Sequence, residues 1–498
     1  MRFLSTRQTA PPVSFTTALF EGLAPDGGLY VPETIEPWTA DELSGLPGRT
    51  LIDIGLRVLR PFTSGDLDPA TLEAVVVEAL NFPIPLVEVQ PGIFALELFH
   101  GPTFAFKDVG ARVMARLMAS RHRGDDPLTV LAATSGDTGS AVAHAFHGVP
   151  NTRVVILYPD GRVSPTQEAQ LTMFNGERSN VRAYAVAGSF DDCHRLTREA
   201  YADPVLHRTM RLTSANSVNV GRLLPQSVYY FHAVAQLLAG SHARSPVAQG
   251  ASSVGHGASS VAQGASGAAQ GVSGVAQGVS GVAQGVSGVA QGFSPAEIVF
   301  CTPSGNFGNL TAGLMAKRAG LPVARFVAAT NANDVVPSYL ETGRFEPRPS
   351  LPTLSNAMDV GHPSNFERML WLYNGNFDAM RRDVTGCRFS DDEVSATIKR
   401  VHQERGYLLD PHSAIAYMGL TEEMGRVGRV GRVGQVGSEG QVGVFLATAH
   451  PAKFAEIVEP IIGRPVEKPP ALAEALDGPQ HIIRIRASLD RLLGMLDG

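Results

Sequence analysis

Cysteine is scarce in this chain: three in 498 residues (Cys193, Cys301 and Cys387), far apart and with no CxxC pair. That spacing excludes a disulfide framework and a cysteine zinc site, and it points to a reducing, cytoplasmic setting. The fourteen histidines show no HExxH-type spacing, so no metal is expected. Long apolar runs are missing too. No stretch reaches the roughly eighteen residues of a membrane span, and the N-terminal "MRFLSTRQTAPPVSF" has no apolar segment of secretory type. Nor is there an excess of positive charge; the net charge of −6 argues against nucleic acid as a partner. What remains, 44% hydrophobic and 18% charged residues, is the balance of a soluble globular protein, and 498 residues exceed one ordinary core.

Two segments read as insertions. From about 245 to 292 a heptad repeats, clearest in "VAQGVSGVAQGVSGVAQG" (275–292). Its valines suggest a coiled coil, but the two glycines per heptad each cost a helix roughly 1 kcal/mol, with no charged pairs to offset them. It is read as a low-complexity, disordered insertion spanning 245–293. "GRVGRVGRVGQVG" (425–437), within a repeat loop of 425–443, is read as an exposed loop tip.

Elsewhere short apolar runs alternate with helical patterns. "LTVLAAT" (128–134) predicts a buried strand, the Gly-rich "SGDTGSAVAHAFHG" (135–148) a turn feeding a helix, and "RVVILYP" (153–159) the next strand. The unit recurs as "AEIVFCTP" (296–303), "SGNFGN" (304–309) and the helix "LTAGLMAKRAG" (310–320), with further strands at 324–330 and 442–449. Alternation of this kind predicts an α/β chain with mostly parallel sheets, whose ligands bind at the carboxyl ends of the strands, where both Gly-rich turns belong.

Chemistry gathers in three places. In "HGPTFAFKD" (100–108), Lys107 follows Phe99, Phe104 and Phe106 and opens a helix whose Val109, Val113 and Leu117 recur at four-residue steps. An exposed helix-opening lysine is one reading. The other is an amine whose pKa is depressed by apolar neighbours and by the helix dipole, fit to act as nucleophile and base. "SGNFGN" is either a plain turn capped by Asn309 or an anion site built from backbone N–H groups; it is neither a Walker A loop nor GxGxxG. "TSGDTG" (134–139) carries Asp137, an acid that would repel phosphate and suits hydroxyl or ammonium groups.

"HGPTFAFKD", "ATSGDTGSA", "SGNFGN" and "ATAHPAKF" closely resemble the threonine synthase family of fold-type II pyridoxal-phosphate enzymes. "SFTTALFEGLAPDGGLYVPETI" (14–35) resembles the branch with an extended N-terminal domain, and "SANSVNVGRLLPQSVYYF" (214–231) is similar to it as well. The likeness runs from near residue 3 to about 470, outside the two repeats. It implies a tryptophan synthase β-like α/β fold with an N-terminal domain (1–95), catalytic α/β domains (96–244 and 294–470) with pyridoxal 5′-phosphate between them, and a helical tail (471–498). The implied reaction, the last step of threonine biosynthesis, turns O-phospho-L-homoserine and water into L-threonine and phosphate. It runs by γ-elimination and β-addition of water, in a cytoplasmic monomer or homodimer. A serine/threonine dehydratase-like lyase and a non-catalytic relative that binds a phosphorylated ligand are the alternatives.

Residue by residue, the resemblance makes Lys107 the Schiff-base lysine. Gly305, Asn306, Phe307 and Gly308 would hold the cofactor phosphate, and Thr448 its pyridine nitrogen. Asp137 stands near the cofactor's 3′-hydroxyl, where shorter relatives carry asparagine. Ser135, Thr138, Asn216, Ser217 and Arg222 would contact substrate. Arg162 is a partner for the substrate phosphate or a surface loop arginine.

Overall fold

The computed structural model describes residues 1–122, 126–240, 242–244, 298–431 and 441–496. The heptad insertion lies outside the described residues, as does 432–440 of the second repeat. The first part of that repeat is not a loop: a helix, Pro411–Gly431, runs on through it. Extending a helix already anchored by packing needs no new nucleus, so arginine and valine carry it past glycines that would prevent a fresh start.

Two sheets make the frame. The seven-stranded sheet runs in the order Val384–Arg388, Arg325–Thr330, Ile298–Pro303, Val442–Ala447, Ile93–Glu97, Leu86–Gln90, Ala243–Arg244. Every neighbouring pair is parallel except Leu86–Gln90 against Ile93–Glu97. The five-stranded sheet, Ile483–Arg486, Val181–Ala187, Thr152–Pro159, Leu128–Ala133, Arg211–Ser214, is parallel throughout. Leu128–Ala133 and Ile298–Pro303 are buried at every residue, as strands covered on both faces require.

Residues 86–97 belong to the large sheet, so a boundary at 95 cuts through a strand. The C-terminal tail is not wholly helical either. Between Pro470–Asp477 and Leu489–Leu496 it lays Ile483–Arg486 along the edge of the small sheet. The N-terminal part carries an antiparallel pair, Phe3–Ser5 with Tyr30–Pro32, and the helices Phe15–Glu21, Ala40–Ser44, Leu51–Thr63 and Pro69–Ala79.

The helix Lys107–Arg121 is buried on more than the one face that its valines predict: Asp108 to Ala115, Leu117 and Met118 are all buried. Two charged side chains go down with it, each with partners. Asp108 accepts from the N–H (2.8 Å) and hydroxyl (2.7 Å) of Thr103, and Arg112 donates to Ala79 O, Glu78 O and Asn81 Oδ1. Ahead of the helix the chain is stitched to the strand end at 448–450. Phe106 N–H donates to Thr448 O (2.8 Å), His450 N–H donates to Phe104 O (3.0 Å), and Ala105 bridges Ala449. Lys107 and Thr448 are thereby set side by side by backbone. Among the described residues no helix is long and apolar enough to cross a membrane.

Candidate active site

Both Gly-rich turns open into one cavity of about 580 Å³. Lys107, Ser135, Asp137, Thr138, Asn216, Ser217 and Arg222 line it, and so do Gly305, Asn306, Phe307, Gly308 and Thr448. Arg162 does not. It is exposed in the turn after Thr152–Pro159, away from the lining, as its surface reading has it.

Lys107 is the first residue of its helix. Among the described residues its amine has no hydrogen-bond partner; it stands 5.1 Å from the centre of the Phe106 ring. Burial pushes its pKa down to about 8; Asp137 pulls it back up, and the cations Arg222 and Lys453 push it further down. An amine so placed is part-neutral near physiological pH, the condition for nucleophile and base.

The turn at 304–308 is built around free donors. Phe307 sits in the left-handed region (φ 59°) and caps the helix Gly308–Arg318 without a side-chain bond. The capping role expected of Asn309 is thus taken by Phe307. Asn309 is the second helical residue, its Oδ1 accepting from Ser304 Oγ and Leu310 N–H and its Nδ2 donating to Pro303 O. Among the described residues the N–H groups of Gly305 to Asn309 have no protein acceptor, and all five residues line the cavity. Glycine is required at 305, where a Cβ would stand 2.7 Å from Met358 Cα.

The turn at 134–139 is closed on itself. Thr134 Oγ1 accepts from Gly136 N–H (2.9 Å) and Gly139 N–H (2.8 Å). Gly136 (φ 131°) passes under Gln167, whose side chain a Cβ would meet at 2.3 Å. Burial raises the Asp137 pKa, but the Lys453 and Lys107 ammoniums, with His412, pull it well below the usual carboxylate range.

Asn216 Nδ2 donates to Ala133 O (2.7 Å), and Ser217 Oγ accepts from Asn306 Nδ2 (2.7 Å) and Asn365 Nδ2 (3.3 Å). Arg222 is 2% exposed; Nη1 donates to Ala215 O (2.6 Å), while Nε has no partner among the described residues. Burial pushes it down to about 10 against the pull of Asp108. The Thr448 hydroxyl has no partner among the described residues, and its residue lines the cavity.

Three groups escaped the sequence reading. Lys453 is fully buried and ion-paired with Asp137 at 2.8 Å. Its signal was a lysine among apolar residues in "AHPAKF", the same signal that drew attention to Lys107. His412 lines the cavity, its Nδ1 2.8 Å from Asp410 Oδ1. Arg368, fully buried, binds Tyr30 O, Ser217 O, Val218 O and Asn365 Oδ1, tying the N-terminal part to the loop at 217–218. Nothing local in "FERMLWL" signals that role. Among the described residues no cluster of three or more His, Cys, Asp or Glu is placed to hold a metal ion.

Residues 77–437 match the family described as pyridoxal-phosphate dependent enzyme, 2–80 the threonine synthase N terminus, and 431–493 the threonine synthase C-terminal family. A threonine synthase of Haemophilus influenzae is 40% identical over 477 residues, covering 95% of this chain and 94% of that protein. Among solved structures, threonine synthase from Escherichia coli superposes with a TM-score of 0.81 at 36% identity, covering 100% of both chains. The pyridoxal-phosphate-bound threonine synthase of Brucella melitensis gives 0.80 at 33% identity, covering 100% of this chain and 98% of that one.

Proposed function

This chain belongs to the threonine synthase family, and from that membership we propose how its own residues convert O-phospho-L-homoserine and water to L-threonine and phosphate. The enzyme is a pyridoxal-phosphate-dependent lyase of fold type II. Its cavity fits the cofactor. Among the described residues, five unpartnered N–H groups at a helix start suit a phosphate, an unpartnered amine of lowered pKa suits an aldehyde, and the free Thr448 hydroxyl suits a ring nitrogen. Pyridoxal 5′-phosphate, when bound, supplies an electron sink for carbanionic character at the substrate's Cα.

The other steps fall to side chains of this protein. Lys107 would hold the cofactor through its amine and, when that amine is free, serves as the base that takes the Cα proton. The same amine is the carrier for protons at Cβ and Cγ as phosphate leaves Cγ and water adds at Cβ. Gly305, Asn306, Phe307 and Gly308 keep the cofactor phosphate through backbone N–H groups, and Thr448 gives the pyridine nitrogen a neutral partner. Asp137, an acceptor because it is ionised, would take a hydrogen bond from the cofactor's 3′-hydroxyl. Ser135 and Thr138 offer N–H groups not taken by Thr134, and Asn216 and Ser217 flank them. Arg222, with Nε unspent, is the cation for the substrate phosphate; its burial supports this role over Arg162, which lies outside the cavity.

The carrying observation is the lone Lys107 amine between two Gly-rich turns. Borohydride reduction followed by peptide mapping should put the pyridoxyl adduct on Lys107, and an adduct on another lysine overturns the assignment. Phosphate release from O-phosphohomoserine with formation of threonine separates this enzyme from a dehydratase. The reading extends to a cytoplasmic setting, supported by three free cysteines, and to a monomer or homodimer, which sedimentation of purified enzyme measures.

A further inference from the structure

Lys453 has no part in the steps above, yet it is the nearest charge partner of a residue that does. Its ammonium is fully buried and spends two bonds at 2.8 Å, one on Thr103 O and one on Asp137 Oδ1. Gln167 Nε2 donates to the same Oδ1 at 3.1 Å. Gln167 is itself held: its Oε1 accepts from Ser164 N–H, and Ser164 Oγ donates to the carbonyl of Lys453. The result is a closed ring of contacts around one carboxylate oxygen. The other, Oδ2, has no protein partner among the described residues, and Asp137 lines the cavity.

Resting on the roles given to Lys107 and Asp137 above, we propose that Lys453 is a positioning residue for the reaction: it fixes the charge and the orientation of Asp137, so that Oδ2 is presented to the cavity beside Lys107. An ionised carboxylate only accepts hydrogen bonds, so Oδ2 takes a donor: a hydroxyl of the cofactor or an ammonium. A neutral Asp137 could donate instead and would reverse that preference. The charged groups around Asp137 are Lys453, the Lys107 amine and His412; Asp108 and Arg222 lie in the next layer. Of these, Lys453 is the one in direct ionic contact. Without it, the largest influence opposing burial is gone and Asp137 takes up a proton at higher pH.

The test uses Lys453→Met, Lys453→Gln, Asp137→Asn and the double variant Lys453→Met/Asp137→Asn. In holoenzyme, both Lys453 variants should lose at least roughly tenfold in kcat with less change in KM for O-phosphohomoserine. They should also gain an acid limb in the kcat profile, at least about one pH unit above the usual carboxylate range, that the wild type lacks. Asp137→Asn abolishes that limb, and the double variant is no slower than the slower single one, because both changes act through one carboxylate. In cofactor-free protein, infrared difference spectra of Lys453→Met recorded about one pH unit above the usual carboxylate range should show a protonated-carboxyl stretch that is absent from the wild type and the double variant. That readout stands whether or not Lys107 carries the cofactor, so it fails separately from the assignment above. Lys453→Gln keeps a donor for Asp137 and serves where Lys453→Met does not fold. A lowered melting temperature with an unmoved acid limb, or losses that multiply in the double variant, would overturn the proposal.

Discussion

The two Gly-rich turns share a skeleton, TSGDTG at 134–139 and PSGNFG at 303–308, and carry opposite electrostatics. Each follows a central, fully buried strand and opens a helix into the same cavity. Where the first has Thr134, whose hydroxyl gathers the N–H groups of Gly136 and Gly139, the second has Pro303, which has no hydroxyl to fold back. Where the first has the anion Asp137 with Lys453 behind it, the second has neutral Asn306, tied to Ser217. One turn spends the N–H groups of both its glycines internally and presents a negative charge; the other, among the described residues, leaves five N–H groups open to an anion. The backbone motif supplies only the platform. Two side chains decide which charge it receives.

The strongest break removes the group between the turns. Lys107→Ala should cut phosphate release by more than about 10³-fold, the scale of a lost general base and nucleophile, with little change in melting temperature. Next, Asn306→Asp makes the second turn resemble the first. A carboxylate facing the cofactor phosphate costs several kcal/mol, so cofactor affinity read from absorbance should fall on the order of 10²-fold or more. Unchanged affinity would mean that the amides at 305–308 do not face the phosphate.

A smaller effect separates cofactor from substrate. Arg222→Gln should weaken O-phosphohomoserine binding by roughly 1.5–3 kcal/mol and leave the cofactor absorbance in place. If instead the cofactor is lost and the substrate still binds, the two phosphate sites have been exchanged. The smallest effect is in pH. Lys107 in the cofactor-free fold has its pKa lowered to about 8, so between that pH and the ordinary lysine range the unfolded chain binds more protons. Its contribution therefore makes stability rise with pH across that window, by no more than about 1.4 kcal/mol per unit, and Lys107→Met should flatten the rise in denaturant titrations. On the acid side Asp137 gives a slope of the same sign. Its depressed pKa adds stability above the usual carboxylate range, which is lost as pH falls, and Asp137→Asn should remove that dependence.

What the sequence made legible was local. The strands Leu128–Ala133 and Ile298–Pro303, their Gly-rich turns and the helix behind Lys107 announce themselves within a dozen residues by apolar runs and glycine punctuation. Lys453, Arg368 and His412 did not, because what makes them matter is contributed from far along the chain. Lys453 reaches Thr103 across 350 positions and Arg368 reaches Tyr30 across 338. Ile483–Arg486 is a different case. The alternation Ile-Arg-Ile-Arg is a strand signal, and it was passed over inside a tail read as helical. In the second repeat, glycine content argued for a loop, and a packed helix upstream overrode it through Gly431.

The backbone stitch between residues 104–106 and 448–450 also sets a timetable for synthesis. Strand Ile93–Glu97 and the loop that carries Lys107 leave the ribosome well before strand Val442–Ala447, which covers that strand's edge. At ordinary elongation rates the roughly 350 intervening residues take some 20–70 s. For that interval the nascent N-terminal half carries an unpaired strand edge, and Lys107 lacks the chain segment that walls it in. The catalytic cavity thus comes into being only once residues 442–453 have been made, and that segment is the step at which a nascent chain becomes an enzyme.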